Sequence, residues 1–274
     1  MRFRIAKEDI AMDNVCNLLF ELSGTDRMDI LLLLKKMPLK LSHISAKLSF
    51  TVQETSRNIT RLSDAKLIVK DVEGSFHLTP FGEEALSLLS GFRFISKNRE
   101  YFLTHTVNAL PKQFEISLGM LENSEAVKDV MLAFHNVEEM IAKAQEYVWI
   151  LTNQILASTI SYLTQALERG AEFKLILPKD YNPTQSIRQI VNNPIFTKAV
   201  RTNKMDLRFL DRVDIFLCLS EKEVAALGFS NIEGKLDYNC FKIEKEPATQ
   251  WAKTLYEHYW RKASNQIPDQ VADL

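Results

Sequence analysis

The sequence predicts a chain of two architectures, α+β near its start and α/β towards its end, with a helical stretch between them. Three observations carry this reading. Residues 12–95 hold a succession of short helices followed by one β-hairpin and a further helix. Positive charge is concentrated between Lys35 and Lys70. From Glu146 onward, apolar runs of strand length alternate with helical segments, which implies an α/β sheet covered on both faces. The expected organisation is a first domain over 1–95, a helical linker and possible dimerisation region over 96–145, an α/β domain over 146–266 and a tail over 267–274.

The 274 residues suffice for two domains at the usual ~100–200 residues each. With 46% apolar and 25% charged residues, the composition is that of an ordinary globular protein. Eight Gly and eight Pro are too few for a collagen-like, linker-rich or turn-rich β chain. The longest aliphatic run, Ile30 to Leu34, is far short of the ~20 residues of a membrane span. No apolar stretch follows the charges of Met1 to Glu8, so no secretory signal is expected and a cytoplasmic location follows. Cys16, Cys218 and Cys240 form no CxxC pair, which argues against a disulfide framework or a zinc knuckle and for reduced core thiols.

The first helix is expected over Asp13 to Leu22, with Val15, Leu18, Leu19 and Leu22 at helical spacing and Ser23-Gly24 as its stop. Thr25 is a candidate cap for a second helix to Lys36, burying Met28, Leu31, Leu32 and Leu34, and Met37-Pro38 ends it. A third runs from Leu41 to Leu48 and breaks at Ser49-Phe50. Thr51-Val52-Gln53-Glu54 then reads as a capping box, each partner satisfying the other's backbone N–H. In the helix so started, Val52, Ile59, Leu62 and Ala65 should point inward. Gln53, Arg57 and Arg61 form an outward stripe at i, i+4 and i+8, with Thr55, Ser56, Asn58 and Thr60 around it.

Two short helices joined by a few residues, the second opening with polar side chains and carrying spaced arginines, describe a helix-turn-helix. Arg can pair bidentately with guanine from such a helix, whereas Lys and Arg near its ends suit phosphates. The charge agrees: eight basic residues against Glu54 and Asp64 give +6 between Lys35 and Lys70, although the whole chain carries only −1. Residues Leu67 to Asp71 and Ser75 to Thr79 flank Val72-Glu73-Gly74 as a hairpin, the position of a wing. Thr79-Pro80 caps the exit helix. The candidate DNA contacts are Thr51, Gln53, Thr55, Ser56, Arg57, Thr60 and Arg61, with Lys70 and His77 from the wing. Leu67-Ile68-Val69-Lys70 and Phe76-His77-Leu78-Thr79-Pro80-Phe81-Gly82 resemble the wing and exit helix of winged-helix regulators of the ArsR and MarR type, over about residues 12–95. Asp71 and Glu73 depart from the basic wing tip of many such regulators. The helix bearing His43 offers no Cys and no ligand cluster, so no metal site and no cofactor are expected.

In the linker, helical pattern covers Phe94 to Met120, and a further capped helix is expected from Ser124 through Ile141. In the last half, strands are expected at Tyr147–Thr152, Glu172–Pro178 and Asp206–Leu210, and as a hairpin at Asp214–Leu219 and Glu223–Phe229. Tyr238–Ile243 should add an edge strand, with helices at Gln154–Arg169, Thr184–Val191 and Thr249–Lys262. His105, Leu110-Pro111, the Gly119–Glu125 stretch, Glu146–Gln154 and Leu175–Pro178 resemble the effector domain of an archaeal family of winged-helix regulators. That family includes the FilR-type methanogenesis regulators and is related to the sugar-responsive TrmB regulators. The resemblance implies a phospholipase-D-like fold that has lost its catalysis.

Phospholipase-D chemistry needs a His with a Lys two residues later. His43, His77, His105, His135 and His258 are followed at that position by Ser45, Thr79, Val107, Val137 and Trp260. No GxxxxGK[ST], GxGxxG or HExxH is present either, so no enzyme activity is expected. A doubly wound sheet still offers a crevice at the carboxyl ends of its strands. There Thr152, Asn153, Gln154, Lys179, Asp180, Asp211 and Arg212 are candidates for a small-molecule effector, with Lys179 or Arg212 for an anion. The expected function is a homodimeric, sequence-specific regulator binding double-stranded DNA and answering to an effector. The alternative is a winged-helix protein–protein module fused to a ligand-binding or enzymatic α/β domain. Salt dependence separates them, because phosphate neutralisation releases counterions and apolar burial does not.

Overall fold

A computed structural model describes residues 8–181 and 193–266. The helix expected at Thr184–Val191 and the tail over 267–274 lie outside the described residues. The chain forms two compact units, Met1–Leu89 and Ser90–Leu274. Among the described residues, no helix is long and apolar enough to cross a membrane.

The first unit is built from α1 (Glu8–Leu22), α2 (Thr25–Leu34), α3 (Leu41–Leu48), α4 (Val52–Asp64), β1 (Ile68–Lys70), β2 (Phe76–Leu78) and the start of α5 (Pro80–Lys97). Leu22, Ile30, Leu31, Ile44, Leu62 and Leu67 are among its buried side chains. Leu22 is buried, but Val15 and Leu19 stay 47% and 44% exposed, so the apolar face of α1 is only partly used within the unit. Cys16 on the same helix is exposed, unlike Cys218 and Cys240, which are buried; the expectation of three core thiols fails there. Gly24 rather than Thr25 occupies the N-cap of α2, and no side chain caps that end.

α3 ends where Ser49 adopts the left-handed conformation (φ 58°) and Phe50 N–H donates to the Ser45 carbonyl. The reversal sets the direction of α4. The hairpin pairs antiparallel, Ile68 with Leu78 and Lys70 with Phe76. Leu39 adds a bridge that no alternation in the sequence announced: its N–H and carbonyl both bond to Phe76, tying the wing to the segment before α3. Thr79 caps α5, accepting from Gly82 N–H at 3.0 Å and donating to the Lys66 carbonyl at 2.6 Å.

In the second unit α5 is followed by α6 (Arg99–Phe102), α7 (Lys112–Ile116), a 3₁₀ turn (Leu118–Leu121), β3 (Glu125–Val127) and α8 (Val130–Lys143). Then come β4 (Tyr147–Leu151), α9 (Thr159–Glu168), β5 (Glu172–Pro178), α10 (Pro194–Arg201), β6 (Met205–Leu210), β7 (Ile215–Ser220), β8 (Val224–Phe229), β9 (Cys240–Ile243) and α11 (Ala248–Lys262). The strands form one sheet in the order β3-β9-β8-β7-β4-β5-β6. β4, β5 and β6 run parallel, and the remaining neighbours are antiparallel. Alternate residues of each strand serve two cores. Phe173, Leu175, Phe216 and Cys218 pack with Val137, Ile141, Leu163 and Phe196 of the helices on one face. Ile176, Leu217 and Leu219 pack with Phe114, Leu121, Trp251 and Tyr256 on the other.

Several boundaries differ from expectation for local reasons. The helix expected from Ser124 begins only at Val130, because the Asp129 carboxylate caps it by accepting from Met131 N–H (2.8 Å) and Leu132 N–H (3.2 Å). Glu125–Val127 is instead an edge strand on β9, so β9 is interior rather than an edge. α9 starts at Thr159, and Pro194–Arg201 is a helix the pattern did not disclose. Residues 96–145 are not a separate linker. Phe114, Leu118 and Leu121 belong to one core of the second unit and Val137, Met140 and Ile141 to the other.

Gly82 sits where α5 passes the Leu67 carbonyl, and a Cβ there would overlap that oxygen. Gly82→Ala should therefore destabilise the protein by about 1–3 kcal/mol, the usual cost of overpacking, although Ala is the better helix former. Urea unfolding followed by circular dichroism measures it. A variant as stable as the parent would contradict the close approach.

Candidate nucleic-acid interface

The polar helix α4 is held at its start by the expected capping box. Thr51 N–H donates to Glu54 Oε2 at 2.9 Å, and Glu54 N–H donates to Thr51 Oγ1 at 3.2 Å. The Thr51 hydroxyl, donating to Glu54 Oε2 at 2.7 Å, and after it the Thr51 N–H hold the Glu54 carboxyl below its ordinary value, with Arg57 adding a smaller pull in the same direction. Gln53, Ser56, Arg57 and Thr60 lie together on the solvent side of the helix. Arg57 makes no ion pair among the described residues.

Two of the expected contacts are used otherwise. Thr55 is fully buried: its hydroxyl donates to the Thr51 carbonyl (2.9 Å) and accepts from Ser45 Oγ (2.9 Å). It fastens α4 to α3 and cannot meet DNA. Val52, expected inside, is 63% exposed in the first turn, and Thr55 occupies the inward face in its place. Arg61 is turned onto α1, where its Nε and an Nη donate to the two carboxylate oxygens of Glu21 at 3.1 and 2.7 Å. The guanidinium also lies over the Phe20 ring, 5.1 Å from its centroid, and the Glu21 bond raises its pKa. Arg27 approaches the same carboxylate at 3.1 Å and donates to the carbonyls of Phe20 and Glu21. Glu21, Phe20 and Arg27 escaped the sequence reading because Glu21 meets Arg61 across 40 residues with no motif to join them.

On the wing, Lys70 is exposed, its ammonium 5.7 Å from the Phe76 ring centroid. His77 is half-buried, with Nδ1 at 3.0 Å from the Leu78 carbonyl. The acidic tip has a structural cause. The Asp71 carboxylate accepts from the N–H groups of Glu73 (2.9 Å) and Ser75 (2.8 Å), while Gly74 takes φ +87° to close the turn. Val72 stands fully exposed at the tip.

The strand ends of the second unit also gather as the topology requires, but their charges are spent on one another. Lys179 Nζ lies 2.7 Å from Asp211 Oδ1, and Arg212 lies 2.6 Å from Asp214 Oδ1 and donates to the Gly234 carbonyl. Thr152 is 2% exposed and closes a local turn by donating to the Gln154 carbonyl, so it is no ligand contact. Asn153 accepts from the Tyr238 hydroxyl at 2.6 Å, whereas Asp180 is exposed.

Replacing Thr55 by Val removes both hydroxyl bonds without changing size, and should cost about 1–3 kcal/mol. Thermal unfolding checks this; an unchanged midpoint would deny the hydroxyl its role. The Glu54 cap makes a second prediction. Its carboxyl is depressed in the fold, so the stability it adds is present above the ordinary value of 4.5 and is lost as pH falls through the lower folded value. Glu54→Gln should flatten that acid limb, as read by unfolding midpoints across about pH 3–6.

Residues 132–262 match the model of the methanogenesis regulatory protein FilR1 middle domain. The sequence matches no curated protein. Among solved structures, TrmBL2, an archaeal chromatin protein, is similar at 14% identity over 89% of this chain and 94% of that one, with a TM-score of 0.41. Nuc from Salmonella typhimurium, a phospholipase D family member, is similar at 16% identity over 47% and 86%, with a TM-score of 0.34. RosA from Streptomyces davawensis, a dimethyltransferase, is similar at 14% identity over 76% and 68%, with a TM-score of 0.29.

Proposed function

We propose that this chain, which carries a FilR1-type regulator middle domain over residues 132–262, is a sequence-specific DNA-binding transcription regulator without catalytic activity. The observation that carries the reading is the outward face of α4. Gln53, Ser56, Arg57 and Thr60 are exposed together on a helix fixed at its start and locked to α3 by Thr55, with Arg57 in no ion pair among the described residues. Such a face suits base edges in a major groove, and Lys70 suits a phosphate. Arg61, bound by Glu21, acts mainly to hold α1 against α4 and reaches DNA only by exchanging a carboxylate for a phosphate.

Two copies are needed to read a two-fold operator, with recognition helices about 34–36 Å apart. The stripe of Met12, Val15 and Leu19, exposed on α1, supports a homodimer through that helix. The region 96–145 supports one less well, since most of its large apolar side chains are consumed inside the second unit. An effector on the second unit would act by binding DNA-competent and incompetent forms unequally.

Duplexes selected from a random library, followed by titration with the protein, test the proposal. Arg57→Ala should weaken binding to the selected site by roughly 5–150-fold, the equivalent of about 1–3 kcal/mol for one bidentate base contact. Affinity should also fall steeply with salt. Unchanged affinity in Arg57→Ala, or no enrichment of any duplex, would overturn the regulator reading and favour a protein-binding winged helix.

A further inference from the structure

A cavity of about 580 Å³ opens on the second unit beside α6, between the ends of β3 and β9. The volume is that of a small-molecule site. Its floor is built rather than incidental. His105, whose side chain is 4% exposed, sits with Nε2 3.0 Å from Asp237 Oδ1 and Nδ1 3.0 Å from the Tyr101 carbonyl. Its ring stacks on Tyr101 with centroids 3.9 Å apart and planes 10° from parallel. The Tyr101 hydroxyl in turn accepts from Phe229 N–H at 2.8 Å. Asn98, 7% exposed, donates its amide to the Phe94 carbonyl. These bonds leave the floor little freedom to collapse.

The rim is electrostatically unbalanced. Arg99 and Lys128 line the cavity, both are exposed, and neither forms a salt bridge or side-chain hydrogen bond with the described residues. Lys97 also lines it, but spends its ammonium on the carbonyls of Glu122 and Ser124. Glu100 supplies the single carboxylate among the lining residues. Beneath the cations the wall is apolar, made by Tyr101 and Val127. The contrast with the strand ends is direct. There Lys179 and Arg212 already hold Asp211 and Asp214, so an incoming anion would have to displace a carboxylate.

We propose that this cavity binds a small organic anion, its carboxylate or phosphate held by Arg99 and Lys128 and its apolar body laid against Tyr101 and Val127. This deepens the regulator reading and rests on it for one point only, that the occupant is the effector. Lys97 is the last residue of α5 and Asn98 the N-cap of α6, so the lining begins where one helix gives way to the next.

The test uses the full chain and calorimetric titration with 1-naphthyl phosphate, 1-naphthoate and inorganic phosphate. The parent should bind one or both naphthyl probes at millimolar or lower concentration and inorganic phosphate more weakly, because the latter has no apolar body. Which naphthyl probe binds tighter distinguishes a phosphate from a carboxylate site. The double variant Arg99→Ala/Lys128→Ala, whose exposed side chains form no ion pair or hydrogen bond among the described residues, should bind at least about tenfold more weakly. Ala126→Glu, which sets a carboxylate on an exposed lining residue beside the two cations, provides a second variant and should also abolish naphthyl binding while circular dichroism stays native. No binding by the parent, or undiminished binding by the double variant, would overturn the proposal. Loss of binding in Lys179→Ala with retention in the double variant would place the anion at the strand ends and overturn it equally. None of these readouts involves DNA, so failure of the selected duplex to bind would remove the regulator reading and leave the cavity result standing.

Discussion

The hydroxyl of Thr55 is the point on which the first unit turns. It is wholly removed from water, so it must find its partners inside the protein, and it finds them in Ser45 of α3 and the carbonyl of Thr51. A buried hydroxyl without partners costs far more than a satisfied one contributes, so the pair acts as a geometric constraint as much as a source of stability. With α3 and α4 held at this crossing, the side chains opposite Thr55 are obliged to face solvent. The offered surface of Gln53, Ser56, Arg57 and Thr60 is thus a consequence of what is buried behind it.

The same helix shows how a charge is assigned. Arg57 and Arg61 have the same chemistry and sit one turn apart, yet among the described residues only Arg61 holds a carboxylate. Glu21 is largely shielded, and Arg61 and Arg27 both reach it. An aromatic ring beneath the two guanidinium groups completes the arrangement. Exposed pairs contribute little to stability, but bidentate geometry on a shielded carboxylate fixes direction. The acidic wing tip follows a related logic, since Asp71 serves the backbone of its own turn and is not a surface charge placed against a ligand.

In the second unit the controlling constraint is that one sheet must satisfy two cores. Strands β5 and β7 send alternate side chains to opposite faces, and the helices supply an apolar surface on each. This doubles the demand on the segment before β4, whose residues would otherwise read as a connector. They are recruited to cover both faces, and β3 is drawn from them to pair with β9. The polar groups left at the strand ends pair with one another. Arg99 and Lys128, in no ion pair among the described residues, stand instead beside α6, at a place no sheet rule would have indicated.

Much of this was legible from spacing alone. The helix-turn-helix order, the capping box at Thr51, the hairpin around Gly74, the Thr79-Pro80 cap and six strands of the second unit depend on neighbours within a few residues, and local hydrogen bonding and hydrophobic periodicity decide them. The burial of Thr55 is not legible, because a Thr three residues inside a polar helix has the same local sequence whether it meets water or Ser45. The resting direction of Arg61 is set by a partner 40 residues away. Periodicity tells which residues share a face, and a few-residue window cannot tell which face another element will cover. The direction of a charged side chain depends on what the chain brings beside it, and only the tertiary structure settles that.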